Sequence, residues 1–254
     1  MKKLFEKNEI TFAVVLIVIY VVGASLAQSV SEIIGIEYLA EMIFNTALGA
    51  VILAFILKNG LGKHVGLCRP EVSAAKMWFY IPIVVIAALP IFFGAALQLP
   101  VPNIIFRTVC MLFVGFIEEV IFRGFLFKGI CKSSVTRAIV ISAVTFGIGH
   151  IVNLFNGYDI FSNIMQIVFA VGVGFMLVYI FHKTGSLIAC IGFHSLNNML
   201  TGFTSSEYLI NAVGSGETAY IILCAVRLLM MAVYTVYIIK ALPERKQEES
   251  GAAA

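Results

Sequence analysis

Glu118, Glu119 and Arg123 lie in GFIEEVIFRG, a run otherwise built of phenylalanine, isoleucine, valine and glycine. Ionisable groups in so apolar a segment are costly to bury and mark function by default. Glu119 and Arg123 are four residues apart and share a helix face, whereas Glu118 points about a quarter-turn away from Glu119. The spacing predicts a division between a buried ion pair that holds the helix and a carboxylate left for chemistry. Phe146 with His150, and His194 with Asn198, repeat the four-residue spacing. A carboxylate, two imidazoles and a carboxamide are the parts needed to activate water: a general base, a group that orients water or a metal, and donors for a developing oxyanion. The same set could also bind a cation or relay protons.

The elements that must carry these residues follow from composition. The chain has 254 residues, 61% hydrophobic and 12% charged, against about 25% charged in soluble domains. Runs of about 20 apolar residues, long enough to cross a hydrocarbon core, recur at 10–30, 39–57, 77–99, 104–127, 138–156, 161–181, 185–203 and 218–240. The predicted fold is therefore all-α, a polytopic membrane helical bundle of about eight transmembrane helices. At ~1.5 Å per residue, Glu118 lies roughly 15 Å from the basic end of its segment at Lys128, His150 roughly 20 Å from Arg137, and His194 roughly 14 Å from Gly185. All three converge near the midplane.

Charge placement orients the bundle. Every even-numbered segment ends in basic residues: Lys58 to Lys76 after the second, Lys128 to Arg137 after the fourth, Lys183 after the sixth, and Lys240, Arg245 and Lys246 after the eighth. The alternate connections carry Glu32, Glu37, Asp159, Glu207 and Glu217. The positive-inside rule then places both termini in the cytoplasm. The first segment follows Lys2, Lys3 and Lys7 but exceeds a signal-peptide core, and is read as a retained anchor. A net charge of +3 is too small to suggest nucleic acid. Cys68, Cys110, Cys131, Cys190 and Cys224 form no C-x-x-C pair and read as packing residues.

A single domain over 1–242 is expected, followed by a polar, frayed tail over 243–254. Gly115, Gly124, Gly172 and Gly174 would let helices approach closely. Pro82 and Pro90 should bend the third segment, and the glycine-rich connection after Lys58 could lie at the interface. Glu41 and Arg107 are near segment ends, where long side chains snorkel to the surface. Arg227 is deeper, and its partner is not readable from the sequence.

EEVIFR at Glu118–Arg123, FGIGH at Phe146–His150 and HSLNN at His194–Asn198 resemble the EExxxR, FxxxH and HxxxN motifs of the CAAX-protease and bacteriocin-processing (Abi) family of intramembrane endopeptidases. The resemblance spans Gly115 to Asn198, and the eight-segment architecture agrees. It implies that Glu118, with His150, activates a water, and that His194 and Asn198 polarise the scissile carbonyl and hold its oxyanion. Glu119, Arg123 and Phe146 then support the site. The implied substrate is a membrane-associated or lipidated peptide or protein: a CAAX protein, a bacteriocin or pheromone precursor, or a leader peptide. The short lysine-rich start suggests a bacterial cell membrane. Glu118, His150 and His194 match the ligand types of a catalytic zinc, but a glutamate-activated water without metal fits the same residues.

Two other classes use the same residues. A transporter could relay protons or bind a cation at Glu118 and the histidines during alternating access, although no inverted repeat is visible. A catalytically silent immunity or scaffold protein could retain the motifs. The oligomeric state has no signature in the sequence.

Overall fold

A computed structural model of the chain describes residues 1–97 and 99–245. Gln98, at the end of the third predicted segment, and residues 246–254 of the predicted tail lie outside the described residues. A short helix α1 (Lys2–Lys7) precedes α2 (Glu9–Ile34) and α3 (Leu39–Lys58). A 3₁₀ turn at Ala74–Tyr80 leads into α4 (Ile81–Ala88), which continues as a 3₁₀ turn at Leu89–Phe93. Helix α5 (Val101–Glu119) passes through a π-helical stretch at Val120–Phe127 into α6 (Lys128–Cys131). Then come α7 (Val135–Ile148) with a 3₁₀ end at Gly149–Leu154, α8 (Ile160–Thr184), α9 (Ile188–Leu200) with a 3₁₀ end at Thr201–Phe203, α10 (Glu207–Val213) and α11 (Gly216–Ala241).

All eight predicted segments therefore contain helix, with ends shifted by a few residues except in the third, where the helical turns stop at Phe93 and do not continue to 99. Among the described residues six helices are long and apolar enough to cross a membrane. The remaining two segments, 101–131 and 188–203, carry Glu118, Glu119, Arg123, His194 and Asn198. The helices that do the positioning are thus the two whose sequences depart most from a plain membrane span. Large apolar residues such as Val18, Leu57, Leu229 and Val233 are exposed on the outside of the bundle, as a lipid-facing surface requires.

Local chemistry sets the helix starts. Asn8, Ser134, Asp159 and Ser215 accept from backbone N–H groups of Thr11, Arg137, Ser162 and Thr218, capping α2, α7, α8 and α11. Each satisfies one of the N–H groups orphaned at a helix start. Gly185 adopts φ +71 at the end of α8, the left-handed conformation that a residue without Cβ takes at little cost. The chain can then turn at once into α9.

The predicted bend at the prolines has a different form. Trp78, Phe79 and Tyr80 have positive φ, so the third segment breaks ahead of Pro82. Pro82 and Pro90 each sit in the first turn of a new helical piece, where a missing N–H is tolerated. Pro90 still has a consequence. Ile86 is four residues before it and loses the N–H that its carbonyl would receive in a continuous helix.

The connection after α3 is docked against the bundle. Val65 and Val72 are buried in the core. Leu187 N–H donates to Gly66 O at 2.8 Å, Glu71 N–H to Thr184 O at 2.9 Å, and Ser186 Oγ to Cys68 O at 2.6 Å. These bonds fasten the connection to the α8–α9 turn. Glu9, at the start of α2, meets Lys132 at 2.8 Å and His64 at 2.5 Å. Residues 9, 64 and 132, with 71, 183, 244 and 245, therefore gather at one end of the bundle.

Candidate active site

Gly115 fixes the approach of α5 to α9. A Cβ there would stand 2.3 Å from Ser195 Oγ and 2.8 Å from its backbone N, so only glycine permits this contact. One turn later α5 presents Glu118 and Glu119, opposite His194, which precedes Ser195 on α9. Gly174 plays the same part between α8 and α7, where a Cβ would lie 2.8 Å from Ala143 O. Close helix approach at small residues, expected from the sequence, thus occurs beside the polar residues, and also at Gly172, where a Cβ would lie 2.3 Å from Leu228.

Glu119 and Arg123 are fully buried, with Arg123 Nη1 3.1 Å from Glu119 Oε1. The guanidinium also lies 4.2 Å from the Phe146 ring centroid, a cation–π contact. The predicted Glu119–Arg123 pair is present, with the Phe146 ring packed on it. Glu119 has a second partner that spacing did not reveal, since His194 Nδ1 is 2.8 Å from the same Oε1. An ionised carboxylate only accepts, so Nδ1 carries the proton. Nε2 is the ring atom turned toward Glu118.

Glu118 is buried on the opposite side of His194. Its Oε1 accepts from the Tyr20 hydroxyl of α2 at 2.5 Å. Its Oε2 stands 3.4 Å from His194 Nε2, an ion-pair distance without hydrogen-bond geometry, and has no hydrogen-bond partner. A buried carboxylate oxygen without a donor is expensive. The residue that carries it, Glu118, lines a large cavity.

His150 is half-buried in the 3₁₀ end of α7. Its Nδ1 lies 3.2 Å from Phe146 O; a carbonyl only accepts, so this bond places the proton on Nδ1 and leaves Nε2 as an acceptor. Asn163 donates to His150 O at 2.8 Å. The Phe146 ring stands between the two histidines, 5.5 Å from each by ring centroids. Among the described residues no group of three or more His, Cys, Asp and Glu side chains is placed to hold a metal ion. Glu118 and His194 meet, but His150 does not complete a ligand set with them, so the donors present do not fit a bound zinc.

A cavity of about 840 Å³ joins the constellation. Glu118, His150, His194 and Asn198 all line it, together with Tyr20 and Arg227. It extends to Glu32, Glu37 and Tyr38 at the α2–α3 turn, at the opposite end of the bundle from residues 64, 132 and 244. The expectation that Arg107 snorkels outward does not hold. It is buried, donates to Met199 O at 3.0 Å and Asn198 O at 2.8 Å, and also bonds Thr201. It closes the open carbonyls at the end of α9, a stronger demand than reaching the surface.

Arg227 has its partners in Ile86 O at 3.0 Å and the side chain of Asn197. Tyr20, Asn197 and the Glu119–His194 bond were not foreseen. Tyr20 comes from a segment with no Asp, Glu, Lys, Arg or His, and nothing local marks it. The doubled asparagine in HSLNN was the available signal for Asn197.

Residues 100–200 match the family profile of the Rce1-like type II CAAX prenyl endopeptidases. This segment is similar to the CAAX protease family. The match starts at the head of α5 and ends at the tail of α9, so it contains Glu118, His150, His194 and Asn198. Neither a curated protein nor a solved structure matches the chain. The family is one of membrane-embedded proteases, and the integral membrane character agrees with the six long apolar helices.

Proposed function

We propose that the protein is an intramembrane endopeptidase that hydrolyses a peptide bond of a membrane-associated or lipidated substrate with water activated by Glu118. The observation that carries this reading is Glu118, which lines a large cavity with one carboxylate oxygen left without a donor, beside a histidine whose tautomer is set by Glu119. A water admitted beside Oε2 as the side chains around it shift on substrate binding would satisfy that atom and stand at the reaction site. Tyr20 bonds Oε1 and keeps the carboxylate from rotating away. His150 Nε2, the other acceptor on this wall, would take the water's second hydrogen and aim a lone pair at the scissile carbonyl.

The carbonyl carbon gains a C–O bond as the water proton passes to Glu118. Negative charge then develops on the carbonyl oxygen, where the Asn198 amide acts as a donor, joined by His194 Nε2–H when the imidazole has taken up a proton from bulk water before the substrate binds. Glu119 steadies an imidazolium on His194 because it already accepts from Nδ1. Collapse of the tetrahedral adduct breaks the C–N bond, and the proton on Glu118 passes to the leaving amine. These side chains carry every step.

The contacts that gather the basic connections at one end support the orientation read from charge, with both termini in the cytoplasm. Under that orientation the cavity reaches the opposite face, at the α2–α3 turn, and the substrate enters from there. The chain's substrate is a CAAX-type lipidated peptide or a precursor peptide of a bacterial membrane. Comparing membrane-associated peptides in cells carrying the wild-type chain or Glu118→Gln tests the reading. Uncut precursor should accumulate only with the variant; identical peptide profiles together with altered ion or proton flux would instead establish a transporter.

A further inference from the structure

Asn198 can serve an oxyanion only through its NH₂ group, yet a carboxamide presents an oxygen just as readily if it turns over. Asn198 Oδ1 accepts from Asn197 Nδ2 at 3.1 Å. Asn197 Oδ1 in turn accepts from Arg227 Nη2. Arg227 Nε donates to Ile86 O at 3.0 Å, the carbonyl that Pro90 leaves without an N–H. The guanidinium lies 4.2 Å from the Phe169 ring centroid and is buried.

The polarity of this chain runs one way. Arginine has five donors and no acceptor, so Asn197 must turn its oxygen toward Arg227. Its NH₂ then faces Asn198, which must answer with oxygen. What remains for the cavity, which Asn198 lines, is the Asn198 NH₂. Asn197 is buried and also lines the cavity, but Arg227 and Asn198 already engage both ends of its carboxamide.

We propose that Arg227 and Asn197 are positioning residues that fix the Asn198 carboxamide with its NH₂ toward the substrate carbonyl. This rests on the reading of Asn198 as an oxyanion donor. Asn197→Asp is the sharpest variant: the new carboxylate still accepts from Arg227 but cannot donate to Asn198. It would draw the Asn198 NH₂ to itself and turn the Asn198 oxygen into the cavity.

The test uses the full chain in detergent with an internally quenched farnesylated CAAX peptide as probe. Losing one oxyanion donor costs about 100–1,000-fold in kcat, and that is the loss expected for Asn198→Ala. Asn197→Asp should lower kcat by a comparable factor, with KM and thermal midpoint close to wild type. In an Asn198→Ala background the same Asn197 substitution should change kcat by less than about twofold, because residues acting through one group are not additive. Full additivity, or a loss of kcat matched by a loss of folding, would overturn the relay.

If Asn198→Ala cleaves normally while Glu118→Gln does not, the oxyanion role of Asn198 falls and the relay with it, but the water-activation reading stands. An activity-independent arm covers a wild-type chain that leaves this probe uncut. With ¹⁵N-asparagine labelling, the Asn197 side-chain amide protons should exchange slowly with water in wild type and quickly in Arg227→Met. Fast exchange in wild type, or none gained in the variant, would refute the arrangement.

Discussion

Two buried cations of this bundle are treated differently. Lys183, at the basic end, is closed: Nζ donates to Leu242 O at 3.3 Å and to Glu244 Oε1 at 2.5 Å. Arg123, at the level of the cavity, keeps Nε without a partner, and neighbouring Glu119 Oε2 and Glu118 Oε2 are also unpartnered. At the basic end charge fastens the chain, down to the first residues of the predicted tail. Around the cavity it is held by fewer bonds than it could make, as expected where groups must be ready to bond a substrate or exchange a proton.

The sharpest way to break this comparison is Glu118→Gln. The amide fits the same space and can still meet Tyr20, but it cannot take a proton from water. General-base catalysis contributes about 100–10,000-fold, so cleavage of the CAAX probe should fall by at least that range with little change in thermal midpoint. Near-normal turnover would remove Glu118 from the base role.

Removing one partner of the Glu119–Arg123 pair strands a buried charge, which typically costs about 3–5 kcal/mol. Glu119→Gln and Arg123→Met should each be unstable in detergent, and the double variant should recover part of the loss. Because His194 Nδ1 also rests on Glu119, recovery of stability should not restore cleavage. A double variant that is both stable and fully active would show that Glu119 is structural only. The matching cycle of Glu118→Gln with Arg123→Met should show little coupling, since no contact joins Glu118 to Arg123.

The parts of this arrangement that could be read from the sequence are those governed by helical periodicity. Glu119 with Arg123 and Phe146 with His150 lie within one helix, and four-residue spacing puts each pair on one face. The common depth of Glu118, His150 and His194 followed from rise per residue, and one cavity joins them. Contacts between helices were hidden because spacing says nothing about which helix is the neighbour. Tyr20 reaches Glu118 across 98 residues and Arg227 reaches Asn197 across 30. Arg107 was misread for a related reason: its depth suggested the interface, but the open carbonyls of α9 lay closer. The π-helical stretch after Glu119 had no signal either, since its eight residues are ordinary apolar helix formers apart from Arg123 and Gly124.

At the basic end smaller effects are expected. Glu244 is 73% exposed although Lys183 is only 2% exposed. Glu244→Gln removes a screened partner while Leu242 O still accepts from the amine, so the loss should be about 0–1 kcal/mol. Thermal midpoints of this variant and Glu119→Gln, measured side by side, give the contrast directly. A Glu244→Gln loss as large as that of Glu119→Gln would place Lys183 among charges that need full compensation.

The smallest effect is a pH dependence. Arg245 donates to Glu71 at 2.8 Å and 2.5 Å, and this hydrogen bonding holds the Glu71 carboxyl below its ordinary value of 4.5. Glu244 is lowered in the same direction, first by its hydrogen bond from Lys183. A carboxylate depressed in the folded state contributes stability that is fully present above its unfolded value and is lost as pH falls through its folded value. Both contributions are therefore intact at neutral pH and disappear in acid, below the ordinary carboxylate range. Half of the Glu71 side chain is exposed, so the contribution is small and weakens with salt. Comparing thermal midpoints of wild type and Arg245→Met from about pH 7 down to about pH 3 at low ionic strength reads this contribution. The gap between them should shrink toward acid, as Glu71 protonates and Arg245 loses its charged partner. A gap that stays constant or widens would mean that this contact between the chain's last described residue and the docked connection adds nothing through charge.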